Sequence, residues 1–204
     1  TGTPGETYLT KTRAVPVEVW PDAIRFDPVE HALAFKATGG AGELVGVQII
    51  RVTAAGRKAD GGQKLVKQSF GDFDGAAVRL PGRADGPVCL AEGPETGASV
   101  WAATGLETWI ALGGAGKIDP PASRKLVILR DDDKRDAPSQ KAIGRALARW
   151  REAGTECVSI WPWEARRGDK SDFNDVLRDL GPDAVRARFT PIIGKPQRIG
   201  RRFV

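Results

Sequence analysis

Two strand-like runs end in acid, the first of them unbroken and apolar, and this pattern restricts the fold more than any other feature of the chain. Val88-Cys89-Leu90-Ala91 runs into Glu92, and Lys125 to Leu129 leads to Asp131-Asp132-Asp133. A strand wetted on one face alternates apolar and polar residues, whereas a continuous apolar run suits a strand covered on both faces. Gly93-Pro94 opens a helix through Trp101 that stops near Gly105, and a further strand follows at Thr108 to Leu112. Ile143, Ala146, Leu147 and Trp150 recur at helical spacing until Gly154, after which Cys157 to Trp161 supplies the last strand. This alternation predicts an α/β fold: an open parallel four-stranded sheet with flanking helices, its ligands at the carboxyl ends of the strands.

The residues ahead of that region follow another rhythm. Thr3-Pro4-Gly5-Glu6 has capping-box spacing with Pro at the first helical position, so a short helix opens the chain and ends by Pro16. From about Ala23 to Leu80, the runs AIRF, ALAFKAT, ELVGVQIIRV and AAVRL are separated by turn-formers such as GGAG and AAGR, which predicts antiparallel hairpins. The chain therefore divides into a β-rich, mostly antiparallel α+β subdomain at 1–85, an α/β domain at 86–190 and a basic tail or linker at 191–204.

Charge and cysteine usage narrow the function classes. The formal charge is +5, yet from Arg186 onward there are six basic residues and no acidic one, so the body is almost neutral. No apolar run approaches the ~20 residues of a membrane span, and TGTPGETYLT does not resemble a secretory leader. Cys89 and Cys157 form no CxxC and the chain has one histidine, so a Cys/His zinc site is not expected and a cytoplasmic setting fits. Methionine is absent even at position 1, so a fragment of a longer protein is expected.

Glu92, Asp131 and Asp133 stand where an open parallel sheet places its crevice. Carboxylates gathered there repel one another unless a cation neutralises them, and a hard-oxygen set selects Mg²⁺ or Mn²⁺. A simply solvated acidic loop is the alternative. Other nucleotide and metal patterns fail: position 135 is Arg where an EF-hand needs an oxygen ligand, GGAGKI lacks the rest of a phosphate loop, and no GxGxxG follows the first strand. His31 has no partner in the sequence and reads as a structural or surface residue.

Ala91-Glu92-Gly93 with Glu95, then Asp131-x-Asp133, then Lys170-Ser171-Asp172-Phe173-Asn174-Asp175 together resemble the Toprim domain of DnaG-type primases, phage- and plasmid-encoded (mobile-element) ones most closely. The likeness covers 86 to 180 well and 1 to 85, through TPGETYL and GAAVRL, more loosely. It implies a Toprim-like sheet in which Glu92 serves as general acid/base and joins Asp131 and Asp133 in holding Mg²⁺ or Mn²⁺. Asp132 should point away, since neighbours in a strand face opposite sides. Glu95 is either an additional acid of the site or a first-turn residue favoured by the helix dipole. Asp172 and Asp175 are either part of the acidic site or a helix cap. The resemblance further places Arg51, Lys64, Lys67 and Arg79 along a template or nucleotide path. Lys141 and Arg145, with Arg149, form a basic stripe that is either another nucleic-acid contact or a solvated helix face.

The implied activity is nucleotidyl transfer from nucleoside triphosphates on a single-stranded DNA template, with a helicase or relaxase in the same or a partner chain. A metal-dependent Toprim nuclease and a non-catalytic DNA-binding or docking module are the alternatives. The chain departs from a complete DnaG-type primase in having no Cys/His zinc module, and its single tyrosine, Tyr8, lies in the opening helix, which argues against a topoisomerase.

Overall fold

The computed structural model describes residues 2–61 and 66–193. The chain opens with helix α1 (Pro4–Thr7), capped by the Thr3 hydroxyl, which accepts the Glu6 N–H at 3.1 Å. Its continuation, Tyr8–Thr12, widens into a single π-helical turn. Then come β1 (Ile24–Asp27), β2 (Ala32–Thr38), β3 (Leu44–Arg51) and β4 (Lys67–Gly71), an antiparallel sheet in sequential order.

The second sheet contains β5 (Val78–Leu80), β6 (Val88–Ala91), β7 (Thr108–Ile110), β8 (Leu126–Leu129) and β9 (Cys157–Ile160), in the order β5-β7-β6-β8-β9. The predicted parallel sheet is present as β7-β6-β8-β9. AAVRL does not pair as a hairpin within the first sheet as expected: β5 runs antiparallel to β7, and a bridge between Thr38 and Ala77, the residue before β5, links it back to β2. Being short, it has no periodicity by which sequence could reveal its partner. Val78, Leu80 and Ile110 share a core with Tyr8, Phe35 and Ile50, so this edge strand ties the two sheets together.

Helices α2 (Pro94–Thr104), α3 (Pro138–Glu152), α4 (Phe173–Leu180) and α5 (Pro182–Ile193) complete the α/β part. The apolar strands divide their side chains as a doubly covered sheet requires. Cys89, Ala91, Val127 and Leu129 join the core with α2, α4 and α5, while Val88, Leu90, Leu126 and Ile128 meet Ile143, Leu147 and Trp150 of α3. Gly105 ends α2 in the left-handed region at φ 68°, as its sequence position predicts. Gly97 lets α2 lie close to the sheet: a Cβ there would stand 2.5 Å from Ile110 Cγ1. Among the described residues, no helix is long and apolar enough to cross a membrane.

Candidate active site

Each acidic residue is delivered by a strand end or a helix start. β6 ends at Ala91, so Glu92 occupies the turn into α2; β8 ends at Leu129, so Asp131 and Asp133 follow on the neighbouring strand. Glu92, Asp131 and Asp133 line one small cleft with Arg130, Ser139 and Gln140. Asp131 Oδ1 is buried and has no hydrogen-bond partner. Burial, then the charges of Asp172, Glu92, Asp133 and Asp175, push the Asp131 carboxyl up to about 7. Glu92 is also raised, first by burial and then by Asp133, while Lys67 opposes the shift. Lys67 belongs to β4, so the antiparallel sheet contributes a cation to the field at this crevice. Asp133 accepts a hydrogen bond from the Ser139 hydroxyl at 2.6 Å. Among the described residues, no three carboxylate, imidazole or thiolate groups converge as they stand on one metal position.

The floor of the cleft is also organised. The Arg130 guanidinium donates to Gln140 Oε1, and Gln140 Nε2 donates to the Asp131 carbonyl at 3.0 Å. Asp132 turns away, as strand alternation predicts, and is fully buried. Burial alone would raise its carboxyl, but hydrogen bonds from the Arg167 N–H and the Arg166 guanidinium outweigh it and hold the group below the usual range.

Asp172 caps α4: its Oδ1 accepts the N–H groups of Asn174 and Asp175 at 2.6 and 3.1 Å, and Asp175 Oδ2 accepts the Asp172 N–H at 2.9 Å. The two readings of this motif are compatible, because the same residues contribute to the charge around Asp131. Thr96 of α2 donates to Asp172 Oδ2 at 2.9 Å, which joins α4 to the helix that follows Glu92.

Glu95 is engaged in another direction. Its carboxylate accepts the Tyr8 hydroxyl at 2.8 Å, pairs with Lys58 at 2.7 Å and stands 3.6 Å from Arg13. Although burial opposes ionisation, Lys58, Tyr8 and Arg13 bring its carboxyl down to about 2. Glu95 thus anchors the N-terminal segment to α2. Tyr8, Arg13 and Lys58 escaped the sequence reading because they lie far from Glu95 along the chain and carry no motif.

The basic candidates separate. Lys67 acts on Glu92 as described, whereas Arg51 reaches Glu30 at 2.6 Å and Arg79 lies over the Trp109 ring at 4.4 Å from its centroid. Lys141 and Arg145 are exposed on α3, and Arg149 donates to the Gly116 carbonyl at 2.7 Å. Lys64 and residues 194–204 of the tail lie outside the described residues. Cys89 and Cys157 are free and buried.

The fold has counterparts among solved structures. A comparison with curated proteins returns no significant match. Among solved structures, the chain is similar to the zinc-binding and RNA polymerase domains of Aquifex aeolicus primase, with a TM-score of 0.54 and 14% identity over 91% of this chain and 45% of that one. A DNA primase domain from Pseudomonas aeruginosa gives a TM-score of 0.53 and 15% identity over 89% and 57%. The RNA polymerase domain of Mycobacterium tuberculosis primase DnaG gives 0.51 and 13% over 80% and 58%. The chain thus spans about half the length of these structures, and at such identities the likeness concerns the fold. Residues 87–183, from the first buried parallel strand to the start of α5, match the family described as the Toprim domain.

Proposed function

We propose that this chain is the catalytic core of a DNA primase that joins nucleotides from nucleoside triphosphates on a single-stranded DNA template, using Mg²⁺ or Mn²⁺. The observation that carries the reading is the buried, unpartnered Asp131 carboxylate oxygen, in one cleft with Glu92 and Asp133 at the carboxyl ends of adjacent parallel strands and in the field of Asp172 at the start of α4. The Toprim match and the likeness to primase domains support it. The sequence resemblance adds a mobile-element origin and a helicase or relaxase, in the same chain or a partner, to the proposal.

Asp131 and Asp133, with Glu92, would hold the ion: all are hard oxygen donors, and an orphaned buried carboxylate oxygen suits a dication. When bound, such an ion offsets the carboxylate charge and stabilises the charge that develops on phosphoryl oxygens. Glu92, held above the ordinary carboxylate range, is suited to accept a proton from an attacking hydroxyl. Lys67, whose charge reaches Glu92, would offer a positive charge to a phosphate beside it. Glu95 keeps α2, and with it Glu92, in register with the N-terminal segment.

A primed single-stranded template with triphosphates and Mg²⁺ or Mn²⁺ tests the reading. The expected outcome is triphosphate-dependent product with no shortening of the template, and about 10² or more loss of turnover in Glu92→Gln and Asp131→Asn. Cleavage without triphosphates that both substitutions abolish would make the protein a nuclease. Inertness with intact DNA binding would make it a docking module.

A further inference from the structure

Asp132 stands between two residues of the candidate site yet faces away from it, and its contacts all go to one loop. It is 0% exposed, and both carboxylate oxygens are satisfied: Arg166 Nε donates to Oδ1 at 2.9 Å and the Arg167 N–H to Oδ2 at 2.6 Å. The backbones are joined as well, since the Asp132 N–H donates to the Ser171 carbonyl at 2.7 Å and the Lys170 N–H to the Asp132 carbonyl at 3.0 Å. A second arm of Arg166 donates to the Asp133 carbonyl.

The loop so gripped, residues 161–171, is braced from other sides. Arg166 and Arg130 both lie over the Trp161 ring, at 5.1 and 5.2 Å from its centroid. Arg188 of α5 reaches the carbonyls of Trp161 and Trp163, each at 3.2 Å, and Trp163 Nε1 donates to the Ser171 hydroxyl at 2.6 Å. Ser171 is followed directly by Asp172, the cap of α4. The bond from Asp132 to Ser171 therefore sets where the α4 carboxylates stand relative to those after β8.

Like charges on two chain segments drive those segments apart, so a site assembled from both needs a tie that resists the repulsion. A surface ion pair would contribute little, but a fully buried carboxylate with both oxygens engaged holds its partners firmly, because parting them would strand a buried charge.

We propose that Asp132 and Arg166 form a positioning pair: they lock the end of β8 to the β9–α4 loop, so that Asp131 and Asp133 share one site with Asp172 and Asp175. The functional consequence rests on the proposed metal-binding reading, whereas the lock does not depend on it.

Arg166→Ala in the full chain tests this in two ways, by amide hydrogen exchange without metal and by Mn²⁺ titration. Exchange at Asp132, Arg167, Lys170 and Asp175 should accelerate about tenfold or more while Leu90 in β6 is unchanged. Mn²⁺ affinity should fall about 10- to 100-fold, as when an outer partner of a ligand is removed. Arg166→Lys keeps a cation for Asp132 Oδ1 and leaves Oδ2 to the Arg167 N–H, and should recover most of both. Should Arg166→Ala fail to fold, Arg166→Gln, which removes the charge and keeps a donor, decides: faster exchange at the same amides and weaker Mn²⁺ binding than in Arg166→Lys support the lock, and parental exchange overturns it. Unchanged exchange at the four amides in folded Arg166→Ala would also overturn it. A parent chain that binds no Mn²⁺ would refute the metal reading, and the exchange result would still decide the lock.

Discussion

Tyr8 donates its hydroxyl to Glu95 at 2.8 Å across 87 residues of sequence, and this bond joins the opening helix to the helix that follows Glu92. Arg13 Nε donates to the same hydroxyl oxygen at 2.9 Å, so the phenol links a cation and a carboxylate while lying fully buried. Burial, followed by the charge of Glu95, pushes the phenol well above its ordinary range, so it remains a neutral donor.

Tyr8→Phe removes both hydrogen bonds with little change of shape and should destabilise the fold by about 1–3 kcal/mol. Glu95→Gln should do more, since Lys58 and Arg13 lose their shared anion. Urea denaturation of both variants measures the order.

Acid should weaken the same anchor. The Glu95 carboxyl lies near 2 in the folded state, below its unfolded value, so the folded chain binds this proton less readily. Its contribution is present above pH 5 and disappears as pH falls towards 2, on the order of 3 kcal/mol in all. Glu95→Gln should flatten that part of the stability profile.

Asp131 should act with the opposite sign. Its carboxyl is raised to about 7, above the unfolded value, so the folded state binds the proton more tightly and loses stability as pH rises from 4 to 7. The penalty is complete above pH 7, and Asp131→Asn should stabilise the metal-free protein there by a few kcal/mol at most. Thermal melts at pH 8 and pH 4 should show the gain at pH 8 alone. Mg²⁺ should raise the melting temperature of the parent but not of the variant.

These opposite signs show what the sequence could and could not reveal. The doubly covered strands were legible because every residue of β6 and β8 is apolar, and the acids after them followed from where such strands end. Capping by Asp172 was legible because it is local. The engagement of Glu95 was not, since its partners come from the π-helical turn and the chain after β3, and no local pattern records a pairing that tertiary packing creates. Arg166 was hidden for the same reason, its partner lying 34 residues earlier in the segment after β8. The placement of β5 depended on three residues that fit either sheet.

Packing beside Glu92 should tolerate little. Ile110 is fully buried, and a Cβ on Gly97 would stand 2.5 and 2.9 Å from its Cγ1 and Cδ1. Gly97→Ala gains about 1 kcal/mol of helix propensity and loses about 1–3 kcal/mol to overpacking, so a net loss is expected. Adding Ile110→Val removes the δ-carbon, the farther of the two atoms, and should recover part of it, giving a positive coupling in a double-mutant cycle.

Lys67 supplies the remaining prediction, because it is the cation that opposes the upward shift of Glu92. Burial and Asp133 raise the Glu92 carboxyl, and Lys67 partly restores it, so removing the lysine charge must raise it further. If Glu92 accepts a proton in its ionised form, the acid limb of the pH–rate profile for nucleotide transfer should move to higher pH in Lys67→Met. Lys67→Arg keeps the charge and should leave the limb near the parental position. A lower plateau at high pH in Lys67→Met, where Glu92 is ionised in both proteins, would measure separately what the lysine contributes to binding phosphate. An acid limb that stays in place while the plateau falls would assign Lys67 to the substrate alone and remove its influence on Glu92 from the mechanism.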